Sequence, residues 1–87
     1  MTRVWLVERD YSEEVRNMLE LVYATADGRR RLHMQKMVST PSEADSVTAA
    51  RDVEDERLET VDDPELRRRY RCEVERMRER HEPDDVV

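Results

Sequence analysis

His33, His81 and Cys72 are the side chains of this sequence suited to ligate a metal or to act as base or nucleophile, and 22 carboxylates accompany them. A zinc-type site draws its ligands from short repeated spacings, and no CxxC, HxxxH or HExxH pattern occurs. Arg68 and Arg71 stand close to Cys72 in sequence and would lower its thiol pKa. Nucleophilic catalysis also requires a base and a group that orients it, and no such pair accompanies the cysteine. Cys72 therefore reads as a spacer on the outer face of a helix. Glu54-Asp55-Glu56, Asp62-Asp63 and Asp84-Asp85 are contiguous runs, solvated rather than paired across a pocket. A single glycine, with no phosphate-cradling loop, leaves no nucleotide-site signature. The expectation is no catalytic residue, no cofactor and no metal, hence not an enzyme. A concave pocket lined by His33 and carboxylates would reopen that reading.

Two arginine clusters, Arg29-Arg30-Arg31 and Arg67-Arg68-Arg69, are the other groups with binding chemistry. Arg29, Arg30, Arg31, Arg67 and Arg68 are the candidate contacts for an anion or nucleic acid, with Trp5 or Tyr23 as a stacking surface. The plainer reading is solvated arginine balancing an acidic surface. The net charge of −6 opposes nucleic-acid binding, and phosphate contacts weaken steeply with salt.

Charged residues make up 44% of the chain, against about 25% in ordinary proteins. Of the 16 basic residues only Lys36 is a lysine. An acidic surface carrying arginine in place of lysine fits a protein built for molar salt, where the Debye length falls to about 3 Å and like charges hardly repel. One cysteine excludes an intramolecular disulfide and fits a reducing interior. The apolar run Val4-Trp5-Leu6-Val7 is far too short for a signal peptide or membrane span. A soluble, cytoplasmic protein is expected.

The elements that would position these groups begin with a hairpin. Asp27-Gly28 between alternating apolar residues predicts a two-residue type I′ turn. Tyr23 then faces Leu32, Leu21 faces Met34 and Leu19 faces Lys36, all on one side. Ala24 faces Arg31, Val22 faces His33 and Glu20 faces Gln35 on the other. A first strand over 3–9 is buried on both faces, because Val4 to Val7 is unbroken apolar. Residues 10–16 read as a loop. Thr40-Pro41-Ser42-Glu43 is a helix-start signature, yet Val47, Ala49, Arg51 and Val53 alternate. A helix over 41–51 competes with a turn and a fourth strand over 47–53, the second being preferred. Asp63-Pro64 caps a final helix in which Leu66, Tyr70, Val74, Met77 and His81 share one stripe.

The fold expected is α+β, an antiparallel β-meander of three to four strands packed against a C-terminal α-helix, in one small domain over 1–82. Residues 83–87 form a flexible acidic tail. The helix is expected to cover the face of Leu19, Leu21 and Tyr23. Trp5, Val7, Val22 and Met37 would then remain on the second face as an interaction surface, pointing to a homodimer or to another protein partner.

Several segments together resemble a set of small, acidic haloarchaeal proteins of unknown function. These are Arg9-Asp10-Tyr11, Val22-Tyr23-Ala24-Thr25-Ala26-Asp27-Gly28, Asp62-Asp63-Pro64-Glu65-Leu66 with Tyr70, and His81-Glu82-Pro83-Asp84-Asp85. The resemblance implies a halophilic, cytoplasmic origin and brings no activity with it. A self-repelling acidic surface destabilises the compact state in dilute buffer. Circular dichroism melts are therefore expected to move to lower temperature as salt falls from molar to millimolar. Coincident curves would count against a halophilic design.

Overall fold

Residues 1–12, 18–37 and 47–87 are described by the computed structural model of the chain. Among the described residues five strands form one sheet: β1 (Thr2–Ser12), β2 (Met18–Ala24), β3 (Arg30–Met37), β4 (Ala50–Val53) and β5 (Glu59–Thr60). Their spatial order is β4-β1-β2-β3-β5 and every neighbouring pair is antiparallel. A single helix, α1 (Pro64–Arg80), follows among the described residues. The architecture is the expected α+β meander with a C-terminal helix, carrying five strands rather than three or four. The first strand is longer than expected and runs through Asp10 to Ser12. The preferred fourth strand is present at its C-terminal half, Ala50–Val53. The helix-start signature at 40–43 and the rest of the 10–16 loop lie outside the described residues.

β2 and β3 pair in the register read from the alternation: Tyr23 opposite Leu32, Leu21 opposite Met34, Leu19 opposite Lys36. The turn differs. Thr25 N–H donates to the Arg30 carbonyl at 3.0 Å, so the loop has four residues, 26–29. Gly28 N–H closes a turn onto the Thr25 carbonyl at 2.9 Å. Asp27 acts through its carboxylate, which accepts from the Thr25 hydroxyl at 2.6 Å and from Arg29 N–H at 2.9 Å. These bonds, the one from Thr25 first, hold its pKa below the usual carboxylate range. Two-residue and four-residue loops centred on the same point leave the same register, which is why the pairing was legible and the turn was not.

The helix begins as expected. The Asp63 carboxylate accepts from Glu65 N–H at 2.9 Å, with Pro64 at the first helical position. Its stripe buries Tyr70 and Val74 completely, with Leu66 and Met77 half-buried.

The face it covers is the opposite of the one expected. Tyr70 and Val74 pack with Trp5, Val22, Ala24, Ala49, Ala50 and Val61. Leu19, Leu21, Tyr23 and Leu32 instead form a second cluster with Val4, Leu6, Val47 and Val53. Small side chains at positions 24, 49 and 50 let a helix backbone approach one face, whereas the other face is filled by large side chains. Val4 to Val7 is divided between the two clusters, as its unbroken apolar run implied. A β-bulge between Leu6 and Glu8 leaves Val7 without a partner across the pair.

Residues 83–87, expected as a flexible acidic tail, run beside 47–50. Ala49 N–H donates to the Asp85 carbonyl at 2.8 Å, Ala50 N–H to Pro83 at 3.1 Å, and Val87 N–H to Val47 at 2.8 Å. Val87 packs against both clusters.

Gly28 carries the sharpest steric demand. Its φ is +71°, and a Cβ there would lie 2.2 Å from the Arg67 carbonyl oxygen of α1. Left-handed strain and overpacking together are expected to make Gly28→Ala cost about 3 kcal/mol. Denaturant unfolding would measure it, and a midpoint equal to wild type would contradict this packing.

Candidate functional site

α1 covers only part of its sheet face. Past Tyr70 the strands continue beyond the helix, and a cleft of about 670 Å³ opens between the helix and β1, β2 and β3. Its floor includes Glu8, Glu20, Val22 and His33, with Arg31 on β3 and Arg69 and Tyr70 on the helix closing one side. Arg69 Nη2 meets Glu8 Oε1 at 3.1 Å across the rim. Arg31 Nη1 donates to the Tyr70 hydroxyl at 3.2 Å. That bond, helped by Glu59 and Glu8, raises the Arg31 pKa and keeps it cationic. Arg31 Nε is buried without a hydrogen bond, 3.7 Å from Glu59 Oε2. Gln35 Nε2 donates to Glu20 Oε1 at 3.0 Å.

This is a concavity with His33 and carboxylates in it, the arrangement set out above as the one favouring catalysis. Of its three carboxylates, Glu8 is engaged by Arg69 and Glu20 by Gln35, and Asp10 stands further along β1. Among the described residues no group of three or more His, Cys, Asp or Glu is placed to hold a metal. Cys72 is exposed on the outer helix face, away from the cleft.

The cleft runs out to the edge of the sheet. β5 pairs with β3 only at Arg30 and Arg31, and Val61 N–H reaches the Arg29 carbonyl at 2.8 Å. From Leu32 onward, no strand pairs with this edge of β3 among the described residues. Backbone direction alternates along an antiparallel ladder. The Thr25–Arg30 bond places the inward groups at 30, 32, 34 and 36. The outward N–H and C=O groups are therefore those of His33, Gln35 and Met37. All three side chains are exposed, Met37 at 56%.

The residues expected to form an apolar interaction surface separate. Trp5 and Val22 lie buried under α1, because the helix chose their face; Val7 is half-buried, and Met37 alone is exposed. The two arginine clusters, by contrast, converge. Gly28 rests on the backbone of Arg67 and Arg71, so the hairpin turn and the first turns of α1 share one corner. Arg29 and Arg68 are exposed there, and Arg67 Nε donates to the Val61 carbonyl at 2.5 Å. Arg31 turns away to the cleft. No sequence pattern pointed to the open edge, although one signal was present: residues 28–42 contain no carboxylate and carry Arg29, Arg30, Arg31 and Lys36.

Tyr70→Phe removes the hydroxyl that holds Arg31 against the helix. A loss of roughly 1 kcal/mol is expected, reduced from a fully buried charged bond because Arg31 is partly exposed. Thermal melts of the variant check it, and an unchanged midpoint would mean the bond carries no net stability.

No helix among the described residues is long and apolar enough to cross a membrane. No curated protein and no solved structure matches the chain. One protein family does, described as a family of unknown function, DUF7967, and the match runs over residues 1–87. The chain therefore belongs to that family.

Proposed function

We propose that this chain is a non-catalytic protein-interaction module, working in a salt-rich cytoplasm, that receives another polypeptide along the open edge of β3. One observation carries the reading. A long strand leaves the outward backbone groups of His33, Gln35 and Met37 without a partner among the described residues, with exposed side chains above them. Unpaired strand edges template pairing with another chain, and proteins commonly blunt or cover those they do not use. Here the only charge on the open stretch is Lys36. The partner is a second copy or a different protein. This edge replaces the apolar face as the docking surface, since Trp5 and Val22 are already covered.

A photoreactive residue introduced at position 35, and in a control at position 72 on the outer helix face, tests the reading in cells. Position 35 is expected to give a discrete adduct, of twice the chain's mass for a second copy or of another mass for a different protein. Position 72 is expected to give none. Equal labelling at both positions, or none at either, would remove the proposal.

A nucleic-acid-associated regulator is the second reading, favoured by the convergence of the two arginine clusters at Gly28. The net charge of −6 and the loss of phosphate contacts with salt weigh against it. A gel shift in high salt that disappears on changing Arg29 and Arg68 to serine would support it, and no shift eliminates it.

A further inference from the structure

Resting on that reading, we propose that the occupant of the β3 edge is an extended acidic segment of another protein, added antiparallel as a sixth strand. The argument is one of charge and register. Residues 28–42 carry four cations and no carboxylate. The chain's net charge is −6, so everything outside this run sums to −6 − 4 = −10. Arg29, Arg30 and Arg31 lie at the hairpin tip and beside β5, and the open stretch from 32 to 37 carries Lys36 and no carboxylate. A second copy of β3 would bring no carboxylate to meet Lys36, since Arg30–Met37 contains none.

β5 fixes where the added strand can begin, because it occupies the edge as far as Arg31. The stretch from 32 to 37 remains without a paired strand among the described residues, six residues or about 20 Å of extended chain. Three residues there direct backbone groups outward, at 33, 35 and 37. Side chains of the added strand alternate between the two faces. Those on the helix side stand beside His33 and the mouth of the cleft, near Arg31, whose side chain is 35% exposed. Those on the other side stand beside Met34 and Lys36. A carboxylate on the second face therefore meets Lys36, and one on the helix side approaches Arg31 at the cleft mouth, where Glu8 and Glu20 are already paired with Arg69 and Gln35, while the backbone bonds supply the sequence-independent part of the affinity.

The test uses the full chain, in the lowest salt at which circular dichroism shows it folded, because salt screens a charge preference, and two blocked seven-residue peptides. One alternates threonine with glutamate and the other threonine with lysine. The glutamate peptide is expected to slow amide exchange at His33, Gln35 and Met37 and to bind at least about tenfold more tightly than the lysine peptide, a difference of about 1.4 kcal/mol. Gln35→Pro removes one outward N–H at an edge position where proline is tolerated, and is expected to abolish that protection. His33→Glu combined with Lys36→Glu leaves the backbone intact and is expected to reverse the preference. Equal binding of the two peptides overturns the proposal. So does protection that rises with chain concentration in the absence of peptide, which identifies a second copy. Absent protection, with position 35 still crosslinking to another protein, removes the acidic occupant and leaves the interaction reading standing. Failure of both experiments removes both.

Discussion

The contact between Gly28 and the backbone of Arg67 is the constraint on which the arrangement of this protein depends. It joins the tip of the β2–β3 hairpin to the first turns of α1 at a distance no side chain could occupy. The residue is the only glycine in 87. A left-handed turn and a helix backbone meet at one atom's separation, so both demands fall on one position. That contact sets where the helix starts across the sheet. From there Tyr70 and Val74 are carried over Trp5, Val22 and Ala24. Because the helix is anchored over the hairpin tip, it leaves the far ends of β1, β2 and β3 uncovered, and the cleft is the result.

The sheet divides its apolar residues by size as much as by face. One side has Ala24, Ala49 and Ala50, which let a helix sit close; the other has Leu19, Leu21, Tyr23 and Leu32. On the second side Arg51 lies over the Tyr23 ring, 5.9 Å from its centroid, and Tyr23 donates to the Thr48 carbonyl at 3.2 Å. Burial also raises the Tyr23 pKa above that of an ordinary phenol. Arg51 covers part of Tyr23 with its own stem, and Val47, Leu58, Met77 and Val87 pack against the same cluster.

Much of this was legible in the residues, and the failures have physical causes. The pairing of β2 with β3 follows from alternation alone, because a shift of one residue would exchange the two faces. The start of α1 follows from Asp63-Pro64, a local signal with a local outcome. Alternation assigns residues to the same side without saying which side a helix will take, and α1 takes the side of Trp5, Val22 and Ala24. That choice depends on close approach between positions distant in sequence, at Gly28 and at the alanines. The bulge at Val7 is hidden inside an unbroken apolar run, where both phases of the strand look alike. The cleft depends on both features at once, since its floor lies beside the bulge, where the strands run out from under Tyr70. The convergence of the arginine clusters is equally invisible to spacing, because 38 positions separate Arg29 from Arg67 and only the turn-to-helix contact brings them together.

The bulge also divides β1 into two parts with separate obligations. Before it, Val4 and Leu6 point into one cluster and Trp5 into the other. After it, the phase has moved by one residue, and Glu8 stands opposite Val22 on the cleft side. In an unbulged strand Glu8 would share the side of Leu6 and drive a carboxylate among leucines. Evolution can therefore vary the outer half of the strand, and with it the recognition chemistry of the rim, without disturbing the inner half that holds the domain together.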